Sequence, residues 1–344
     1  MEKAFDKYKK QFVTKARKNG FSEDNINKCL DYSKPLITKD LPVIYNTTHL
    51  SQLVGYNLIY LRRAARFTKY FYRSFKVLKN DKTYRTISEP LPSLKEIQIW
   101  ILKEILYKNK VSKYAKGYVP KRSIKDHVRY HTKESKVLTL DIKNFFDSIK
   151  IDYTLKMFIQ MGYSKSVSNL LTQLCYLEKG LPQGAPTSPY ITNVLLYEFD
   201  ESIAKYCRQK ELKYTRYADD LAFSGQIKKT ELIKLVRSEL RKIGLKLNND
   251  KIILMKRNQR QTISGIVVND KTQVPKYKRN SIRNEMFYIK KFGLNNHQKR
   301  TNQTRDNYLK HLIGKINYIL MLNPKDKEFL DYKKYLYEQN KASR

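Results

Sequence analysis

Asp219 and Asp220 stand side by side between two β-prone runs, Tyr214-Thr215-Arg216 and Leu221-Ala222-Phe223, a pattern that places them at the tip of a hairpin. Adjacent carboxylates repel one another and stabilise a turn poorly, so a cation that both can bind gives a reason for the pair. Taken alone, the pair also fits an ordinary solvated turn, because Asp favours turns by bonding its own backbone. A third carboxylate, Asp141, ends another strand-like run, Lys136-Val137-Leu138-Thr139-Leu140, and the aromatic pair Phe145-Phe146 follows it. Three acids on two strand ends suit a pair of Mg²⁺ ions about 3.5–4 Å apart, which activate a hydroxyl for in-line attack at phosphorus and stabilise the leaving oxygen. Mg²⁺ asks for only a few carboxylates, since substrate phosphate oxygens complete its shell.

The segments that must position these acids occur in a fixed order. Asp141-Ile142-Lys143-Asn144-Phe145-Phe146 comes first and Leu181-Pro182-Gln183-Gly184-Ala185-Pro186-Thr187-Ser188-Pro189 second. Tyr217-Ala218-Asp219-Asp220 is third, Gly244-Leu245-Lys246-Leu247-Asn248-Asn249-Asp250-Lys251 fourth, and Ile263-Ser264-Gly265-Ile266-Val267 closes the series. In order and spacing, across roughly residues 80 to 268, the chain resembles the reverse transcriptases. The second motif and the Thr215-to-Leu221 context are most similar to those of bacterial retron reverse transcriptases. Two places depart from the retron pattern. The usual Asn-Ala-x-x-His segment reads His127-Val128-Arg129-Tyr130-His131 here, and the usual Val-Thr-Gly reads Ile263-Ser264-Gly265.

The resemblance implies an α+β, right-hand polymerase of fingers, palm and thumb, with an antiparallel palm sheet and a helical thumb. It implies Asp141, Asp219 and Asp220 as ligands of two Mg²⁺ ions. Phe146 matches the ring beneath the incoming sugar, where a ribonucleotide 2′-hydroxyl would clash, while Phe145 is expected in the core. Asp147 is either a further ligand or a capping or solvated residue. Gln183 and Gly184 resemble the loop against the nascent base pair, stiffened by Pro182, Pro186 and Pro189. Arg85 and Lys95 are candidates to hold the triphosphate, with ordinary surface charge as the alternative. Lys251 matches a possible proton donor to departing pyrophosphate, or is a surface Lys after a turn. His127 and His131, four residues apart, suggest zinc only if further ligands lie nearby, and otherwise packing or an RNA contact.

Composition points the same way. Lys plus Arg number 70 against 32 Asp plus Glu, a formal net charge of +38, which calls for a polyanionic partner. The 27 Tyr and 14 Phe interleaved with these cations offer stacking faces beside phosphate-neutralising charge, although most are expected in the core. No apolar run approaches the ~18–20 residues of a spanning helix, and the start lacks the apolar core of a secretory signal. Three cysteines without a Cys-x-x-Cys pair suit a reducing cytoplasm. No Walker-type loop occurs, so an ATP motor is unsupported.

Three regions are expected: residues 1–50 as a basic, helical extension broken near Pro35 and Pro42, residues 51–268 as fingers and palm, and residues 269–344 as a basic helical thumb. In the last, Leu309, Leu312, Ile313, Ile316, Ile319 and Leu320 form a helical stripe that leaves Lys310 and Lys315 outside it. Retron membership further implies a dedicated noncoding RNA as template and scaffold, its cDNA, dNTP substrates, and a 2′,5′-branched RNA–DNA product (msDNA). It also implies antiphage defence with a separate effector protein. The rival readings are a stand-alone non-retron defence polymerase and a catalytically silent RNA-binding scaffold.

Overall fold

The computed structural model describes residues 2–78, 83–178 and 180–342. Eight strands are present among them: β1 (Tyr72–Leu78), β2 (Tyr84–Pro90), β3 (Lys136–Asp141), β4 (Lys213–Tyr217), β5 (Asp220–Ser224), β6 (Ile253–Lys256), β7 (Thr262–Ile263) and β8 (Ile266–Val267). They make a β1–β2 hairpin, a four-stranded sheet in the order β4-β5-β3-β6, and a small β7–β8 hairpin, with every pairing antiparallel. Helices surround these sheets, so the α+β expectation holds.

The four-stranded sheet is buried on both faces, and the alternation of its side chains explains how. Leu138 and Leu140 of β3 and Leu221 and Phe223 of β5 enter the main core, while Val137, Ala222 and Met255 enter a second core. That second core also contains Ile282, Met286 and Ile289 of the helix Lys276–Phe292, and Leu312, Ile316 and Ile319 of Tyr308–Leu322. The C-terminal helices therefore rest on one face of the four-stranded sheet, and no break in packing marks residue 268. The apolar stripe 309–320 is buried apart from half-exposed Leu309; Lys310 is exposed, and Lys315 pairs with Glu285 at 2.9 Å.

The N-terminal segment forms two helices, Glu2–Lys18 and Glu23–Thr38, around a small core of Ala16, Ile26 and Leu30. Ser22 caps the second by accepting from the Asn25 amide. The expected break near Pro35 is absent, because this helix runs through Pro35 to Thr38. A proline close to a helix end forfeits one backbone hydrogen bond, and Leu36, fully buried in the main core, holds the last turn in place. No helix among the described residues is long and apolar enough to cross a membrane.

Candidate active site

The Asp pair sits where its sequence context places it. Tyr217 pairs with Asp220 across a two-residue turn formed by Ala218 and Asp219. Ala218 has φ +55°, a left-handed conformation that disfavours a side chain. A buried network holds the turn in that shape. Arg216, fully buried, donates Nη1 to the Ala218 carbonyl at 3.1 Å and to Asn193 Oδ1 at 3.0 Å. Its Nε and Nη2 grip Asp200 Oδ1 and Oδ2 at 2.8 and 2.7 Å, and Tyr214 donates to the same carboxylate at 2.7 Å. From the other side, the Ile142 amide donates to the Asp219 carbonyl at 3.1 Å. Breaking such a buried, fork-to-fork pair leaves an uncompensated charge at a cost of about 3–5 kcal/mol.

The β3–β5 register sets Asp141 opposite Asp220, so all three carboxylates share one end of the sheet. Lys251 donates to Asp141 Oδ2 at 2.8 Å, and Ser264, from the β7–β8 turn, donates to Asp220 Oδ2 at 2.7 Å. Burial, then the charges of Asp220 and Asp141, push the Asp219 carboxyl up to about 6, with Lys251 opposing. Burial also raises Asp220, against the Ser264 hydrogen bond and Lys251. The bond to Asp141 raises Lys251 above its ordinary value, so its ammonium stays charged.

Such crowded negative charge suits a divalent cation in its donor chemistry. The carboxylates do not converge into a ready-made cage: no group of three or more His, Cys, Asp or Glu side chains among the described residues is arranged to hold a metal ion. Asp141 is turned to Lys251 and Asp220 to Ser264. The residue types fit Mg²⁺ ligation completed by substrate oxygens, and do not form a closed structural site.

The segment after Asp141 leaves the sheet as a turn, with Asn144 at φ +47°. Phe145 is buried in the core and Phe146 is half-buried, their centroids 5.2 Å apart. This division arises from the turn, not from strand alternation. Asp147 is exposed and has no hydrogen bond or ion pair among the described residues. The Leu181 amide donates to the Phe146 carbonyl at 3.2 Å, tying this turn to the Gln183-Gly184 loop. That loop is joined in turn to β2, whose Ser88 amide donates to the Gln183 carbonyl at 2.8 Å. Gly184, at φ +131°, lies so close that a Cβ would stand 2.7 Å from the Ser88 carbonyl oxygen.

Arg85 lies three residues before Ser88 on β2 and is exposed. Lys95 is engaged differently: its ammonium pairs with Glu89 at 2.7 Å, and Glu89 also takes Arg73 at 2.9 Å. Asp141, Asp219, Asp220 and Lys251 are thus brought together, Gln183 and Gly184 are joined to the strand that bears Arg85, and Lys95 is turned into an ion-pair triad.

His127 and His131 are fully buried and belong to packing, not to zinc. His127 Nδ1 lies 2.9 Å from Thr215 Oγ1, and His131 bridges Thr215 Oγ1 at 2.7 Å and Ser224 Oγ at 2.8 Å. Burial drives the His127 imidazole down to about 3, aided by the Lys116 and Arg216 charges, and His131 well below its ordinary value. Both brace the hairpin from behind as neutral rings. Sequence reasoning missed the Arg216–Asp200 pair and the Ser264 contact. The one signal for Asp200 was an acid within the apolar helical run around Phe199.

A family model described as "Reverse transcriptase (RNA-dependent DNA polymerase)" matches residues 77–280. The chain is 31% identical over 258 residues to the Retron Ec86 reverse transcriptase of Escherichia coli, covering 72% of this chain and 79% of that protein. It is 28% identical over 286 residues to the Retron Ec83 reverse transcriptase of the same organism, covering 77% and 86%. Among solved structures, telomerase from Candida albicans overlaps 77% of this chain and 63% of its own at TM-score 0.47 and 11% identity.

Proposed function

The chain belongs to the retron reverse transcriptases, RNA-directed DNA polymerases that use a nucleic-acid template, deoxynucleotides and divalent metal, and we propose that it copies one dedicated noncoding RNA into a branched RNA–DNA product. The observation that supports the polymerase chemistry in this reading is the placement of Asp141, Asp219, Asp220 and Lys251 at one end of a sheet, and the retron relatives support the choice of template and product.

In this reading Asp141, Asp219 and Asp220 hold two Mg²⁺ ions. Bound there, the metals supply activation of the primer hydroxyl and neutralise charge on the leaving pyrophosphate. The chain's own groups do the rest. The Arg216–Asp200 clamp keeps Asp219 and Asp220 in place before substrate arrives, so little reorganisation is needed at the moment of reaction. Lys251, kept protonated by its acidic neighbours, is set to give a proton to departing pyrophosphate. Phe146 faces the incoming sugar and excludes a 2′-hydroxyl, Gln183 and Gly184 lie along the nascent pair, and Arg85 meets the triphosphate. Lys95 joins it after exchanging Glu89 for phosphate.

Residues 1–50 form an N-terminal extension, 51–268 the fingers and palm, and 269–344 a thumb for RNA and duplex. The RNA serves as template and scaffold, the cDNA stays joined to it through a 2′,5′ linkage, and a separate effector protein completes an antiphage role in the cytoplasm. Three free cysteines fit that compartment.

The test is to purify the protein from cells carrying its native locus, extract the nucleic acid, and treat it with RNase, DNase and a 2′,5′ debranching enzyme before sequencing. A discrete DNA joined to one RNA by a debranchable bond is expected. Unbranched or absent DNA from an expressed locus would favour the stand-alone polymerase, and unchanged behaviour of an Asp219→Asn variant would favour the silent scaffold.

A further inference from the structure

Tyr118 is an aromatic ring held in the open beside the catalytic turn. It is 53% exposed, and its backbone is left-handed at φ +58°, a conformation that bulky residues adopt only when their surroundings impose it. The surroundings do impose it. The Lys116 amide donates to the Arg216 carbonyl at 2.7 Å, and the Gly117 carbonyl accepts from Asn193 Nδ2 at 2.9 Å. Asn193 also bonds Arg216, so the loop and the turn share one buried clamp. Gly117 permits the contact, since a Cβ there would lie 2.8 Å from the Ala218 nitrogen and 3.2 Å from the Tyr217 ring.

The result is a ring fixed relative to Asp219. Its centroid stands 6.2 Å from that of Tyr217. The ring pair and the Gly117 contact with Ala218 together hold it beside the turn that bears the acids. An exposed ring beside the turn that bears the acids is a surface for a nucleobase or sugar, and base–aromatic contact tolerates any sequence.

We propose that Tyr118 contacts a nucleotide of the base pair being copied. The inference rests on the polymerase reading of the site and adds a substrate contact to it. The strained backbone makes the role testable apart from folding, because Gly at this position removes the ring and relieves the strain together.

The experiment uses the full chain, wild type and Tyr118→Phe, Tyr118→Leu and Tyr118→Gly, with an RNA template annealed to a DNA primer. Duplex Kd, dNTP KM and kcat, and melting temperature are measured. Tyr118→Phe should stay within about twofold of wild type, whereas the Leu and Gly variants should lose about tenfold. A loss in duplex Kd identifies the template–primer as the source of the contact, and a loss in KM identifies the incoming nucleotide. The melting temperature of Tyr118→Gly should equal or exceed that of wild type. If the wild type extends the primer and Tyr118→Gly matches it in Kd and KM, the inference falls alone. It falls also if Tyr118→Gly melts early enough to explain its lost binding. A wild-type chain that neither binds nor extends overturns the polymerase reading and this inference with it.

Discussion

Two antiparallel hairpins carry Asp219, Asp220 and Arg85 of the groups assigned to the reaction, and they are built in opposite ways. The β4–β5 hairpin is buried along most of its length, and the cation next to its turn, Arg216, is fully enclosed and spent on Asp200, Asn193 and the Ala218 carbonyl. The β1–β2 hairpin is exposed over six of the seven residues of β1, and its candidate cation, Arg85, stands exposed. The two acids proposed to meet metal and substrate stand on the hairpin whose shape is over-determined. The cation proposed to meet the triphosphate stands on the exposed one. The Ser88–Gln183 bond and the close approach of Gly184 tie the exposed hairpin to the 181–189 loop.

The contrast breaks if the buried cation proves dispensable. Arg216→Met should destabilise the protein by about 3–5 kcal/mol in urea unfolding, because Asp200 is left charged and buried, and Arg216→Met combined with Asp200→Leu should recover part of that loss. Arg85→Ala should do the reverse, changing stability by less than about 0.5 kcal/mol while raising dNTP KM about tenfold. Equal stability losses at the two arginines would erase the distinction.

Acid sharpens the contrast next. His127 has a folded pKa near 3, below the ordinary 6.5, so the unfolded chain takes its proton first. The stability that depends on the neutral ring is complete above pH 6.5 and is lost as pH falls toward 3, by about 1.4 kcal/mol per pH unit within that window. His131 has the same sign. Asp219, raised to about 6, works oppositely and gains as pH falls. Urea unfolding of wild type against His127→Gln between pH 7.5 and 5.5 isolates the histidine, and the variant should show the flatter profile. The smallest effect is expected at the exposed Lys95–Glu89 pair, where Lys95→Ala should cost at most about 1 kcal/mol of stability in the same unfolding assay.

Much of the site was legible because its chemistry demands unusual local sequence. Adjacent acids at a hairpin tip, a third acid ending a strand, and a Gly where backbone meets backbone are all visible without a structure. What joins them was not. Arg216 precedes the acids with nothing local to distinguish it in a very basic chain, while its partner Asp200 lies sixteen residues upstream on a helix. His127 and His131 show metal-like spacing, yet hydroxyls from two strands more than 80 residues away take both nitrogens of His131 and Nδ1 of His127. The same holds for the cores. The stripe at 309–320 is readable as buried, but its partner, one face of the four-stranded sheet, is set by tertiary pairing. Pro35 was given breaking power by local rules, and packing of Leu36 overrode them.

The most direct test of the central claim is RNA-templated extension of a DNA primer by wild type, Asp141→Asn and Asp219→Asn in Mg²⁺, with melting temperatures measured in parallel. The account predicts that both variants keep the fold and lose extension by at least about a thousandfold. Undiminished extension by either variant would contradict it.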